Sequence, residues 1–171
     1  MAQEIIPHHR NVATFIHLST FSKYFIPFGN YIFPLLLWVS QRKKSVFIDD
    51  HGRKAINFQM SMLIYNLTVI FITIPLILWQ SFEIADLNRE IFYIGEQLEH
   101  FNGLSEVTAL VIICITAALL LFALFIFQLF AVISAAVSAS RGAPCHYPLC
   151  IPFIGPGHSQ GQEPNTVSSA V

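Results

Sequence analysis

Hydrophobic positions along this chain fall in long blocks, and the charges lie almost entirely between them. After Glu106 the sequence runs from Val107 to Ser138 without a charged side chain. A helix rises about 1.5 Å per residue and a bilayer's hydrocarbon core is about 30 Å thick, so roughly 20 apolar residues suffice to cross it. The run exceeds that length and predicts a membrane-spanning helix. A second span reads from Ala55 to Trp79, with Arg53-Lys54 as a basic anchor at one end and an interfacial Trp at the other. Pro75 lies inside its last turns, where it removes one backbone hydrogen bond and bends the helix.

The first apolar block, Asn11 to Ser40, is interrupted by Pro27-Phe28-Gly29 and again by Pro34, and it carries His17 and Lys23. Neither Asn11–Ile26 nor Asn30–Ser40 is long enough to cross alone. They form either two short helices folded as a hairpin about Pro27–Gly29 or one bent crossing, and the hairpin is the favoured reading. Irregular backbone at membrane depth survives only against protein or water, so Pro27–Gly29 is expected to pack on the longer helices. The fold expected is therefore an all-α integral membrane protein: two long transmembrane helices plus a broken N-terminal helical hairpin, a four-helix bundle.

Between the two spans, Ile84, Leu87, Ile91, Ile94, Leu98 and Phe101 recur in steps of three and four, which predicts an extramembrane helix ended by Asn102-Gly103. Its apolar seam either docks a partner or a second copy, or packs onto the bilayer surface or the outer helix ends. The second alternative carries more weight, because the seam is shorter than a sustained heptad pattern.

Polar residues inside the spans are few and patterned. Gln59, Asn66 and Thr73 recur every seven residues and share a face, with Asn57, Ser61 and Thr68 beside them. An amide without a partner is costly in lipid, so this stripe is expected to face inward and to meet Gln128 of the last span. Interhelical bonding is the weightier reading; a polar conduit is the alternative. Ala131, Ala135 and Ala139, at four-residue spacing beside Ser134 and Ser138, suit close helix packing.

Composition agrees with a membrane protein. At 54% hydrophobic and 11% charged residues, 171 residues carry more apolar surface than one small water-soluble core can hide. A net charge of −1, without basic patches interleaved with aromatics, argues against nucleic acid as a partner. The start of the chain lacks the pattern of a cleaved secretory signal, so the N-terminus is expected to be retained. Five basic residues, Arg42, Lys43, Lys44, Arg53 and Lys54, sit between the first two apolar regions, whereas 80–106 holds only Arg89. The basic loop and both termini are thus expected on the cytoplasmic side of a bacterial inner membrane, with loop 80–106 opposite.

Catalytic patterns are absent from the sequence: no His-Glu-x-x-His, no phosphate-cradling Gly loop, no Gly-x-Ser-x-Gly elbow. Cys145-His146-Tyr147-Pro148-Leu149-Cys150 lacks the second ligand pair of a structural zinc, and His17 lacks a second His within a span, so neither metal nor cofactor is expected. Asp49-Asp50-His51-Gly52 reads as a turn, with Asp50 capping the next helix.

The succession His17-Leu18-Ser19, then Ile26-Pro27-Phe28-Gly29-Asn30-Tyr31 through Pro34-Leu35, then Trp38, then Asp50-His51-Gly52-Arg53-Lys54 through Asn57-Phe58-Gln59, resembles a family of small bacterial membrane proteins. That family is of mostly unknown function and related to the twenty-kilodalton subunit of the chloroplast Tic translocon. The tail, Gly142 followed by Tyr147-Pro148, is similar to the family's Gly-x-x-Tyr-x-Tyr-Pro ending, although Cys145-His146 and the long outer loop depart from its pattern. The resemblance covers residues 11–154, flanked by an N-terminal segment (1–10) and a flexible tail (155–171). It implies a non-enzymatic four-helix subunit or accessory factor of a larger membrane complex handling protein translocation or insertion. Lipids, other membrane subunits and a second copy are the partners to expect. A small transporter or pore using the polar stripe is the alternative. His17, Pro27, Gly29 and Pro34 would shape the broken-helix junction, Asn57 and Gln59 would tie it to the second span, and the basic residues 42–44, 53 and 54 offer a face for lipid headgroups or a peptide.

Overall fold

The computed structural model describes the backbone of residues 6–94 and 100–155 and the side chains of 6–86 and 107–155. Four α-helices follow in order: α1 (Pro7–Leu18), α2 (Gly29–Gln41), α3 (Val46–Ile94) and α4 (His100–Ser140), with a 3-10 turn, Ser19–Tyr24, after α1. The apolar blocks thus appear as helices, two of them long and apolar enough to cross a membrane.

Local chemistry explains the N-terminal hairpin. Pro7 opens α1 at a position where its missing N–H costs nothing. The hydroxyls of Ser19, Thr20 and Ser22 each donate to the carbonyl three residues back, at 2.7, 2.8 and 2.6 Å, which accompanies the tightening into 3-10 geometry. Phe28 then adopts a left-handed backbone, φ 61°, and the chain reverses into α2. Gly29 is required there: a Cβ would lie 2.6 Å from Ser22 Oγ and 2.8 Å from its carbonyl oxygen. α2 packs back on the 3-10 turn, on α1 and on α3. Pro27 and Gly29 sit at the break as expected; Pro34 is buried inside α2, and His17 lies away from the break, in the bundle's interior.

Two expected boundaries are corrected. Asp49–Gly52 is helical, the first turns of α3, and Ser45 takes the capping role: its Oγ accepts the Phe47 N–H at 3.2 Å. Asp49 and Asp50 instead pair one turn on with Arg53 and Lys54, at 2.8 and 2.7 Å, which favours helix. Gly52 is dictated by packing, since a Cβ there would lie 2.5 Å from Trp38 Cγ and closer still to Cδ1. The expected separate helix of the acidic loop is the continuation of α3 to Ile94, and Asn102-Gly103 falls inside α4. Nothing between Gln80 and Ile94 breaks a helix already propagating. The side chains of Leu87, Ile91, Ile94, Leu98 and Phe101 lie outside the described residues, as does 156–171.

At 49 and 41 residues, α3 and α4 are about 74 and 62 Å long, well beyond a bilayer's hydrocarbon thickness. Among the described residues the core occupies one end. There Phe58, Met62, Ala131, Val132, Ala135, Cys145 and Tyr147 form one cluster and Ile16, Trp38, Ile48 and Ala55 another. Ala131, Ala135 and Ala139 are buried against the chain's own elements, whereas none of α4's most apolar stretch is buried. Lipid is the solvent that makes such a surface tenable.

Candidate functional site: a buried polar core at the basic end of the bundle

α4 ends in a Schellman motif. Gly142, φ 73°, follows the last turn, its N–H donating to Ala139 O and that of Ala143 to Ser138 O, both at 3.0 Å. The chain then doubles back along α3. Asn57 binds it twice, Nδ2 donating to Ile154 O at 3.0 Å and Oδ1 accepting the Ile154 N–H at 2.8 Å. Ser61 Oγ accepts the Ile151 N–H at 2.8 Å, Tyr65 OH donates to Leu149 O at 2.8 Å, and Arg53 Nη1 donates to Gly155 O at 2.8 Å. Asn57, expected to tie the broken helix to α3, therefore secures the C-terminal segment instead.

This return places Cys145 and Tyr147 in the bundle beside two histidines. His17 Nε2 lies 2.9 Å from His51 Nδ1, and Tyr147 OH lies 2.8 Å from His17 Nδ1. His17 and His51 are fully buried, and Cys145 and Tyr147 nearly so. One ligand atom from each of His17, His51 and Cys145 falls within 4.8 Å of the others. Tyr147 stacks on Phe58, ring centroids 4.3 Å apart, which fixes its hydroxyl on His17. Among the described residues no hydrogen bond of good geometry reaches His51 Nε2, and the Ala143 backbone is the polar group that approaches the imidazole. If Tyr147 donates to His17 and His17 to His51, the Nε2–H of His51 is the group left over in the chain of bonds. Burial pushes the Cys145 thiol up to about 12 and raises the Tyr147 phenol as well, so both are neutral.

The expectation that His17 has no histidine partner is corrected. His51 fills that place because α3 begins a full two turns earlier than the apolar pattern suggests. Neither His146 nor Cys150 belongs to this cluster.

A second polar knot lies further along the bundle. Gln59 Oε1 accepts from Asn30 Nδ2 at 3.1 Å and from Gln128 Nε2 at 2.9 Å, and Gln128 Oε1 accepts from Lys23 Nζ at 2.7 Å. The expected meeting of Gln59 and Gln128 is present, and Asn30 joins α2 to it. Lys23 and Asn30 were not in the expected stripe; an isolated lysine in an apolar block was the available signal for the first. Asn66 donates to Met62 O and Thr68 to Ile64 O, both on their own helix, and Thr73 is half-buried further along α3.

At the surface of the same end, Trp38 Nε1 donates to Asp49 Oδ1 at 2.9 Å, with the Arg42 and Arg53 guanidiniums 5.3 and 5.7 Å from its ring. Arg53 and Lys54 are thus engaged in ion pairs, while Arg42, Lys43 and Lys44 remain exposed in the turn before α3.

No curated protein and no solved structure matches this chain, and nothing found supports the relationship to the chloroplast translocon that the motifs suggested. One family model does match, over residues 8–154. That range takes in α1 to α4, both polar knots and the returning segment as far as the Ile154 clamp. The chain therefore belongs to the magnetosome magnetite crystal formation protein family, a small membrane-associated family.

Proposed function

We propose that the protein is a non-enzymatic integral membrane component acting in magnetosome magnetite crystal formation, as a subunit or accessory factor of a larger membrane assembly. The match of the family model to almost the whole helical region carries this reading. It is supported by the long apolar lengths of α3 and α4 that the chain leaves uncovered, surface suited to lipid and to neighbouring membrane subunits. The membrane in question is the magnetosome membrane. The basic turn at 42–44 and both ends of the chain face the cytoplasm, with segment 80–106 on the other side. Protein translocation or insertion is the finer role implied by the motif resemblance, and the family match lends it no specific support. A transporter or pore is disfavoured by geometry: Lys23, Asn30, Gln59 and Gln128 bond to one another, and Asn66 and Thr68 bond to their own helix. These bonds tie helices together.

Deletion of the gene in its source organism, with electron microscopy of the crystals and isolation of the tagged protein in mild detergent, tests the proposal. Crystals altered in size or number, restored by the wild-type gene, and stoichiometric recovery of other membrane subunits are expected. Normal crystals together with absence from the magnetosome membrane fraction would overturn the role. Recovery of the protein alone would overturn the accessory-subunit part.

A further inference from the structure

We propose that His17, His51 and Cys145 form an internal binding site for a borderline divalent transition-metal ion of the Zn2+ class. The inference is independent of the role in crystal formation and rests on the cluster's own geometry.

Two imidazoles and a thiol are a donor set suited to zinc and its neighbours, whereas hard ions such as Mg2+ and Ca2+ require oxygen. The donor atoms converge within 4.8 Å from three separate elements: α1, the first turns of α3 and the segment after α4. Around a tetrahedral ion with zinc-like bond lengths, neighbouring donors stand about 3.3–3.6 Å apart. The two histidine nitrogens that now hydrogen-bond at 2.9 Å need open by less than about half an ångström, and the thiol, no more than 4.8 Å from a ligand nitrogen of each ring, needs to close by at most about 1.3 Å. Side-chain rotation supplies shifts of that size without moving a helix.

The surroundings also fit. A metal-bound histidine ordinarily donates its second ring N–H to an oxygen that orients it. Tyr147 OH, at 2.8 Å from His17 Nδ1, occupies that place, and stacking on Phe58 holds it there. Binding through His17 Nε2 puts the remaining proton on Nδ1, directed at Tyr147. The ion replaces the His17–His51 hydrogen bond, displaces the Cys145 thiol proton and leaves one coordination position for a small donor such as water. His51, fully buried, offers Nδ1 to the ion and keeps its proton on Nε2. Such an ion would staple the returning segment to the N-terminal hairpin across the bundle.

Cobalt(II) is the probe, titrated into the reduced, full-length protein in detergent and followed by its thiolate charge-transfer band. Zn2+ competition and metal analysis of the protein as purified accompany it. Equimolar binding is expected, with the band abolished by Cys145→Ser and retained by Cys150→Ser. Tyr147→Phe, which keeps the stacking ring, is expected to weaken binding by roughly 10–100-fold. No band in folded wild-type protein, or a band that survives Cys145→Ser, would overturn the site. Should Cys145→Ser fail to fold, an unchanged affinity in Tyr147→Phe overturns it instead.

Discussion

Replacement of Gly52 by alanine should destabilise the protein, against the ordinary preference of helices. In an unconstrained helix interior, Gly→Ala gains about 1 kcal/mol. Here the added Cβ would stand 2.5 Å from Trp38 Cγ and 2.9 Å from Trp38 Cβ. Both distances are about 1 Å inside comfortable carbon contact. Trp38 cannot simply retreat, because its Nε1–H is tied to Asp49 Oδ1 at 2.9 Å and the Arg42 and Arg53 guanidiniums flank its ring. Overpacking of this kind costs about 1–3 kcal/mol, and turning the indole away forfeits a hydrogen bond to a charged group worth about 1.5–3 kcal/mol. After the helix-propensity gain, the expected net loss is about 1.5–5 kcal/mol. Removing the whole side chain should reverse the sign: in a Trp38→Gly background, which also removes the Cβ at 2.9 Å, Gly52→Ala should stabilise by up to about 1 kcal/mol. The coupling between the two sites is then about 2.5–6 kcal/mol. Reversible unfolding in mixed micelles, followed by helical circular dichroism, measures all four proteins of the cycle. A Gly52→Ala protein as stable as wild type, or one equally destabilised with and without the indole, would refute the argument that Trp38 demands this glycine.

Three further predictions follow from the polar contacts and the α4 terminus. Gln59→Leu removes the acceptor shared by Asn30 and Gln128 and should cost about 1–3 kcal/mol in the same unfolding assay; no loss would mean that the knot does not hold the helices. Asn57→Ala should expose the Ile154 amide to hydrogen exchange and the segment near Ile154 to protease, while Ser61→Ala should deprotect the Ile151 amide, and unchanged protection would sink the clamp. Gly142→Ala, at φ 73° and with its Cβ 2.8 Å from Arg10 Nε, should lower stability by about 1–2 kcal/mol through left-handed strain, and an unaltered melting temperature would contradict it.

What the sequence determined by itself was set by local free energy. The uncharged run after Glu106 and the apolar block ending at Trp79 specify long helices in a lipid solvent, whatever they pack against. Pro27 and Gly29 mark the reversal between two short helices for equally local reasons. The seven-residue spacing from Gln59 could indicate a face, and the amide face of Gln59 does meet Gln128. Local pattern misplaced Asp49–Gly52, because a glycine beside two aspartates has the composition of a turn, and only the position of the Trp38 ring reveals why a glycine stands inside the helix. It also ended the outer helix at Asn102-Gly103, where the tertiary structure continues α4.

Which polar residues meet was decided by the tertiary structure. His17 and His51 are 34 positions apart and His17 and Tyr147 are 130 apart, with no shared period to relate them. They come together because α1 packs against α3 and α4 while Gly142 turns the chain back along α3. The physical reason is separation along the chain: a helix is specified within a few turns, whereas a buried cluster drawn from three elements depends on how those elements are docked.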